Sequence, residues 1–223
     1  MNKKKQQSSL AEKKKKENRI ILIIVSSIAA VALIAVILVV LFAPKTQELP
    51  NTVRLNVSYT SNDGVQHTGD IILELDPTNA PITVANFKKL VSEKFYDGLI
   101  FHRIVDHFVI QGGDPEGTGY GGSSETIKGE FTANNVNNQL KHVRGVISMA
   151  RSGDSYDSAS SQFFIVTETS ANNSYSLDGK YAAFGKVVSG MDVVDGIAAV
   201  ATNADDRPLK DAVINYATFV TAN

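Results

Sequence analysis

The sequence predicts a mainly β protein: a closed eight-stranded antiparallel barrel capped by two α-helices and preceded by one transmembrane helix. Three observations carry that expectation. Between residues 52 and 223 apolar residues alternate in short runs, broken by turns rich in Gly, Asn and Asp, which is the pattern of half-buried strands. Only two stretches in that region, after Pro81 and around 190–199, repeat their apolar residues at three- and four-residue steps. Residues 20–43 run for 24 positions without a charge, an amide or a proline.

Residues 1–19 form a basic head, with eight bases against Glu12 and Glu17. The apolar run at 20–43 makes a helix about 36 Å long, enough to cross a hydrocarbon core of about 30 Å. A core helix would show a polar stripe, which this run lacks. A cleaved secretory signal has an apolar stretch of about 7–15 residues and a small-residue exit. Here Leu41-Phe42-Ala43 runs directly into Pro44. Eight bases precede the span and only Lys45 lies close behind it. The head is therefore expected in the cytoplasm, the chain in the cell membrane as a single-pass protein touching lipid through residues 20–43, and the rest on the extracellular side. Residues 44–223 hold 14 bases and 21 acids, a balance that excludes a nucleic-acid partner, whose phosphates need clustered bases.

Residues 44–51, polar and carrying Pro44 and Pro50, read as a linker to one domain over 52–223. Val53, Leu55, Val57 and Tyr59 alternate with polar residues, and Ile71 to Leu75 follow a turn at Asn62-Asp63-Gly64, a first hairpin. Further strands are expected at 99–105, 108–111, 145–149, 162–167, 182–188 and 211–219. Pro81 suits the first turn of a helix, and Val84, Phe87, Leu90 and Val91 give it one apolar face. Met191, Val194 and Ala198 do the same for a second helix. A barrel of eight strands is filled by its own side chains, so an active surface must lie on its outside and its loops.

With no Cys, the chain has no thiol nucleophile, disulfide scaffold or Cys-based metal site. Gly117, Gly119 and Gly122 form a G-x-G-x-x-G string, but no βα unit surrounds it, so it reads as a flexible surface loop rather than a nucleotide site. His67, His102, His107 and His142 show no metal-ligand spacing, and His102 and His107 should face opposite sides. The Ser-rich segment 152–161 lacks a nucleophile elbow. What remains is Arg103, which in a strand shares a face with Phe101 and Val105, an expensive place for a cation unless it is paired or functional. Single amides among apolar residues, Gln111 and Gln162, suit a groove that holds an extended peptide.

Six segments stand in order along the chain: FHRIV (101–105), FVIQGGD (108–114), GVISMAR (145–151), SQFFIV (161–166), LDGKYAAFGKV (177–187) and SGMDVVD (189–195). Residues 52–220 resemble, through these motifs, a cyclophilin-type peptidyl-prolyl cis-trans isomerase, of a bacterial, membrane-anchored kind. The resemblance implies an eight-stranded barrel with two helices and an enzyme that speeds X–Pro rotation in exported or unfolded polypeptides. It implies Arg103 as the catalytic residue and a proline pocket of Phe108, Val109, Phe164 and Leu177, with Met149 below. It further implies substrate-binding amides at Gln111 and Gln162 and a backbone-contacting segment at Ala150 and Arg151. Tyr181 stands where many members have His, and Arg151 where many eukaryotic members have Asn. Ser176 replaces an indole that contacts the cyclic-peptide inhibitor, so only weak cyclosporin-type binding is implied. No cofactor and no metal are called for. A non-catalytic peptide-binding chaperone or adaptor would use the same groove.

Overall fold

The computed structural model describes residues 14–16, 49–170 and 176–220. Contacts divide the chain into Met1–Glu48 and Leu49–Asn223. Three helical residues at 14–16 represent the first unit. The expected membrane span at 20–43 lies outside the described residues, among which no helix is long and apolar enough to cross a membrane.

The second unit is mainly β. In chain order it holds β1 (Thr52–Thr60), β2 (Gln66–Leu75), α1 (Pro81–Ser92), β3 (Arg103–Val105), β4 (Val109–Gly112), a 3-10 turn (Thr132–Asn134), β5 (Val146–Met149), β6 (Phe163–Val166), β7 (Ala183–Ser189), α2 (Met191–Ala198) and β8 (Val213–Phe219). All strands pair antiparallel in one sheet of order β3-β4-β6-β5-β7-β2-β1-β8. The alternation in β1 and β2 points one side of each strand inward. Val53, Leu55 and Val57 are buried with Ile71, Leu73 and Leu75, and Val53 sits opposite Leu73. Register shifts at Asn56/Val57, Ile72/Leu73 and Ile147/Ser148 add local twist and curl the sheet around this core.

The sheet does not close, which corrects the expected barrel. β3 and β8 are its two outer strands, and the seam between their ends carries one isolated bridge, Ile100 to Val213. Backbone hydrogen bonds Gly98 N to Ile214 O (2.7 Å), Ile214 N to Leu99 O (2.7 Å), Phe101 N to Ala212 O (2.9 Å) and Ile104 N to Asp206 O (2.8 Å) cross the seam without making a ladder. The paired stretch ends quickly on the β3 side, because the residues that meet β8 lie before β3 rather than in it. A three-residue β3 leaves little edge to pair.

The two expected helices are present and close the core. Val84, Phe87, Leu90 and Val91 of α1 are buried, and Phe87 packs on Tyr96, Phe163 and Phe184 at ring separations of 5.0, 5.9 and 5.1 Å. The start of α1 has no local side-chain cap. Its orphan amides are served from a distance by the buried Glu130 carboxylate, which accepts from Ile82 N (3.0 Å), Thr83 N (2.7 Å) and Thr83 Oγ1 (2.7 Å). Glu130→Gln is expected to lower unfolding free energy by about 2 kcal/mol in urea titration, since the charge is lost and an NH2 group replaces one of the two accepting oxygens. An unchanged midpoint would show that the carboxylate does not hold the helix.

Candidate active site

The register of the sheet assembles the site. Arg103 lies opposite Gln111, Gln111 opposite Phe164, and Phe164 opposite Ser148, so four strands contribute one lateral row. Val105, Val109 and Val166 form the next row on the same face. The intervening row, Ile104, Ile110, Ile165 and Ile147, points the other way into the main core and is at most 2% exposed. The outer rows support a second, smaller apolar cluster of Val109, Val146, Phe164, Val166, Leu177 and Ala183, with Val105, Phe108, Leu140, Ala150 and Tyr181 packed on it.

A pocket of about 300 Å³ opens over that cluster, lined by Arg103, Phe108, Val109, Gln111, Ala150, Arg151, Phe164, Ser176, Leu177 and Tyr181. Nine of these were expected from the sequence. Ser176 was expected only as a replaced inhibitor contact. Two expected residues lie elsewhere. Met149 is 1% exposed and belongs to the main core, because neighbouring residues of β5 face opposite sides. Gln162 lines an adjoining pocket of about 550 Å³, shared with Gln111, Tyr120, Ala150 and Arg151. Its Oε1 accepts from Gln111 Nε2 (2.9 Å), and its Nε2 donates to Gly119 O (3.0 Å) and Gly121 O (2.7 Å). Gln162 thus fixes Gln111 and the glycine loop.

That loop, expected from the sequence as a flexible surface loop, is tied down by hydrogen bonds. The buried Asp114 carboxylate accepts from the backbone N–H groups of Glu116 (2.8 Å), Thr118 (3.0 Å), Gly119 (2.6 Å) and Gly121 (3.2 Å). Burial pushes the Asp114 carboxyl up, but these four donors outweigh it and its pKa is lowered. At Gly121 a Cβ would come within 2.1 Å of Asp114 Oδ1, so only glycine fits there.

The Arg151 guanidinium sits among three aromatic rings. Its Cζ lies 4.8 Å from the Tyr181 ring, 5.0 Å from Tyr156 and 5.5 Å from Phe131, and Nε donates to Lys180 O at 3.0 Å. Tyr181 in turn meets Phe164 edge-on at 5.8 Å. Arg103 has an acidic neighbour: Nη2 lies 3.3 Å from Asp206 Oδ2, with both side chains about two-fifths exposed. The fork is thus paired yet still lines the pocket.

Beneath Phe164 lies a Ser–His–Asp constellation that sequence reasoning missed. His142 Nδ1 is 3.0 Å from Asp178 Oδ1, His142 Nε2 is 3.0 Å from Ser148 Oγ, and the ring stacks on Phe164. His142 and Ser148 are fully buried, so no acyl substrate reaches the hydroxyl, and the group acts as a support for the pocket floor. Burial holds the His142 pKa below its ordinary value near 6.5 despite the opposing hydrogen bond and charge of Asp178. Burial does the same to His102, assisted by Arg207 and Arg103 and opposed by Asp114. The unfolded chain therefore binds these protons at higher pH than the folded one. Stability is expected in full above about pH 6.5 and to fall as pH drops below it. Urea unfolding at about pH 7.5 and about pH 5.5 checks this, and imidazole NMR should show both rings still neutral just below their ordinary titration point. Equal stability at the two values would refute it.

The arrangement is an apolar pocket beside a guanidinium and amides on the outer face of a curled antiparallel sheet. The family described as "Cyclophilin type peptidyl-prolyl cis-trans isomerase/CLD" matches residues 59–219. A peptidyl-prolyl cis-trans isomerase-like 1 of Gibberella zeae is 44% identical over 68% of this chain and 90% of its own. A cyclophilin type peptidyl-prolyl cis-trans isomerase of Cryptosporidium parvum superposes with TM-score 0.65 at 28% identity, covering 78% of this chain and 99% of that one. The same protein in the presence of the dipeptide Ala-Pro gives TM-score 0.61 over 75% and 99%. The chain belongs to the cyclophilin-type peptidyl-prolyl cis-trans isomerases and is an enzyme of that class.

Proposed function

We propose that the enzyme captures proline in the 300 Å³ pocket and uses Arg103 to stabilise the twisted imide, acting on exported polypeptides outside the membrane that anchors it. The observation that carries the site is the lateral row Arg103–Gln111–Phe164, which sets a cation and an amide beside an apolar floor.

X–Pro rotation faces a barrier of about 18–20 kcal/mol because resonance gives C–N partial double-bond character. No bond breaks, so the enzyme need only bind the twisted state better than either planar one. Twisting returns the lone pair to the prolyl nitrogen, and the Arg103 guanidinium donates to it. Phe108, Val109, Phe164 and Leu177 hold the ring. Gln111 and the backbone at Ala150 and Arg151 hold the flanking chain, leaving the carbonyl on the other side to turn. Lowering the barrier by about 5–7 kcal/mol accelerates exchange about 10⁴–10⁵-fold. An NMR titration of the 49–223 unit with an Ala-Pro peptide tests the placement. Shifts should centre on Phe108, Gln111, Ala150, Phe164, Leu177 and Tyr181. A peptide that binds while leaving them unmoved would relocate the site.

The anchored, extracellular placement rests on the basic head and the 24-residue uncharged run. The bacterial kinship rests on Arg151 and that same prefix. Protease added to intact cells should digest the isomerase domain and leave the head protected. Recovery of the domain in a wash free of membranes would remove the anchor.

A further inference from the structure

We propose that Asp206 is a positioning residue for Arg103, holding the guanidinium beside the proline pocket before substrate arrives; this rests on the assignment of Arg103 above. The loop that carries Asp206 is built to place one carboxylate. Asn203 Oδ1 accepts from Asp205 N (2.9 Å) and Arg207 N (3.0 Å), Asp206 N donates to Asn203 O (3.1 Å), and Asn203 N donates to Arg207 O (2.8 Å). Thr202 bridges to Pro208, and Arg207 Nη1 donates to Gly117 O at 2.6 Å. The loop is joined to β3 one residue past Arg103 itself, through Ile104 N to Asp206 O at 2.8 Å. Asp206 takes a left-handed backbone, φ 62, and from there Oδ2 reaches Arg103 Nη2.

Two features separate positioning from stabilisation. The pair is about two-fifths exposed on each side, and such pairs contribute little to folding. The contact also uses Nη2 alone, and among the described residues Nε and Nη1 of Arg103 have no partner, so they remain to serve the substrate. A long side chain with many rotamers is thereby restricted without losing its donors.

Asp206→Asn and Asp206→Gly test this, since Asn and Gly tolerate the left-handed backbone and leave the loop intact. Both should lower kcat/KM for an Ala-Pro tetrapeptide about tenfold, while peptide affinity by NMR titration stays within about twofold and the melting temperature is unchanged. The Arg103 Nη resonances, separate in the wild type, should average in both variants. In an Arg103→Ala background, Asp206→Asn should have no further effect. Rates within about twofold of wild type, faster rates, or an undiminished loss in the Arg103→Ala background would overturn the proposal. If Arg103→Ala alone keeps the wild-type rate, the failure lies in the assignment of Arg103, which is read separately.

Discussion

Arg103→Ala is expected to lower kcat/KM about 10²–10³-fold, the usual effect of removing one aimed donor from a transition state. The fold should persist, because the ion pair that is lost with Asp206 is half-exposed and worth at most about 1 kcal/mol. Arg103→Lys keeps a positive charge but loses the planar fork, so it should fall between the two, about tenfold below wild type. A protease-coupled assay on a proline peptide gives the rates, and circular dichroism with a urea titration gives the fold. A rate for Arg103→Ala within about threefold of wild type would remove the guanidinium from the mechanism.

Phe164→Ala should have the second largest effect, and it should act on two quantities together. Phe164 is 4% exposed, forms part of the pocket wall, and is packed between His142 and Tyr181. Truncating a buried Phe costs about 3–5 kcal/mol of folding stability. The same truncation removes the floor on which a prolyl ring rests, so peptide affinity should fall about tenfold or more. Phe164→Leu separates the two, since it keeps much of the buried volume and should recover most of the stability but less of the affinity. Measurement at low temperature, with rates divided by the folded fraction, keeps a stability loss from passing as a catalytic one. Unimpaired peptide binding by folded Phe164→Ala would show that proline does not sit on this ring.

Much of the fold was legible because its signals are local. Strand alternation at Val53-Leu55-Val57, the helical spacing of Val84-Phe87-Leu90-Val91 and the Asn62-Asp63-Gly64 turn each depend on neighbours within a few residues. Arg103, Phe108, Gln111 and Phe164 were legible because their motifs are continuous segments. Partners distant in the chain were not. Glu130 caps a helix 47 residues earlier, and Asp206 meets Arg103 across 103 residues. Asp178 reaches His142 across 36. No spacing or periodicity marks a carboxylate whose donor lies that far away. Asp114 was visible in FVIQGGD, but that its carboxylate gathers four loop amides depends on positive-φ turns at Gly117 and Gly119, which the glycine string alone read as slack.

Closure of the sheet was misread for a related reason. Counting strands does not reveal how the two outer strands of the sheet meet, and here the chain just before β3 joins β8 through one isolated bridge and scattered hydrogen bonds instead of a ladder. From the residues alone came the strands and helices and the exclusion of thiol chemistry, and from the resemblance of the motifs the side chains expected at a prolyl site. Only the folded chain decided which of them share a face. Strand residues alternate sides, so sliding a strand by one residue would exchange the Arg103–Gln111–Phe164 row for the isoleucine row beneath it. Register is set by pairing between strands that are dozens of residues apart, and that pairing places the guanidinium outside, over an apolar floor.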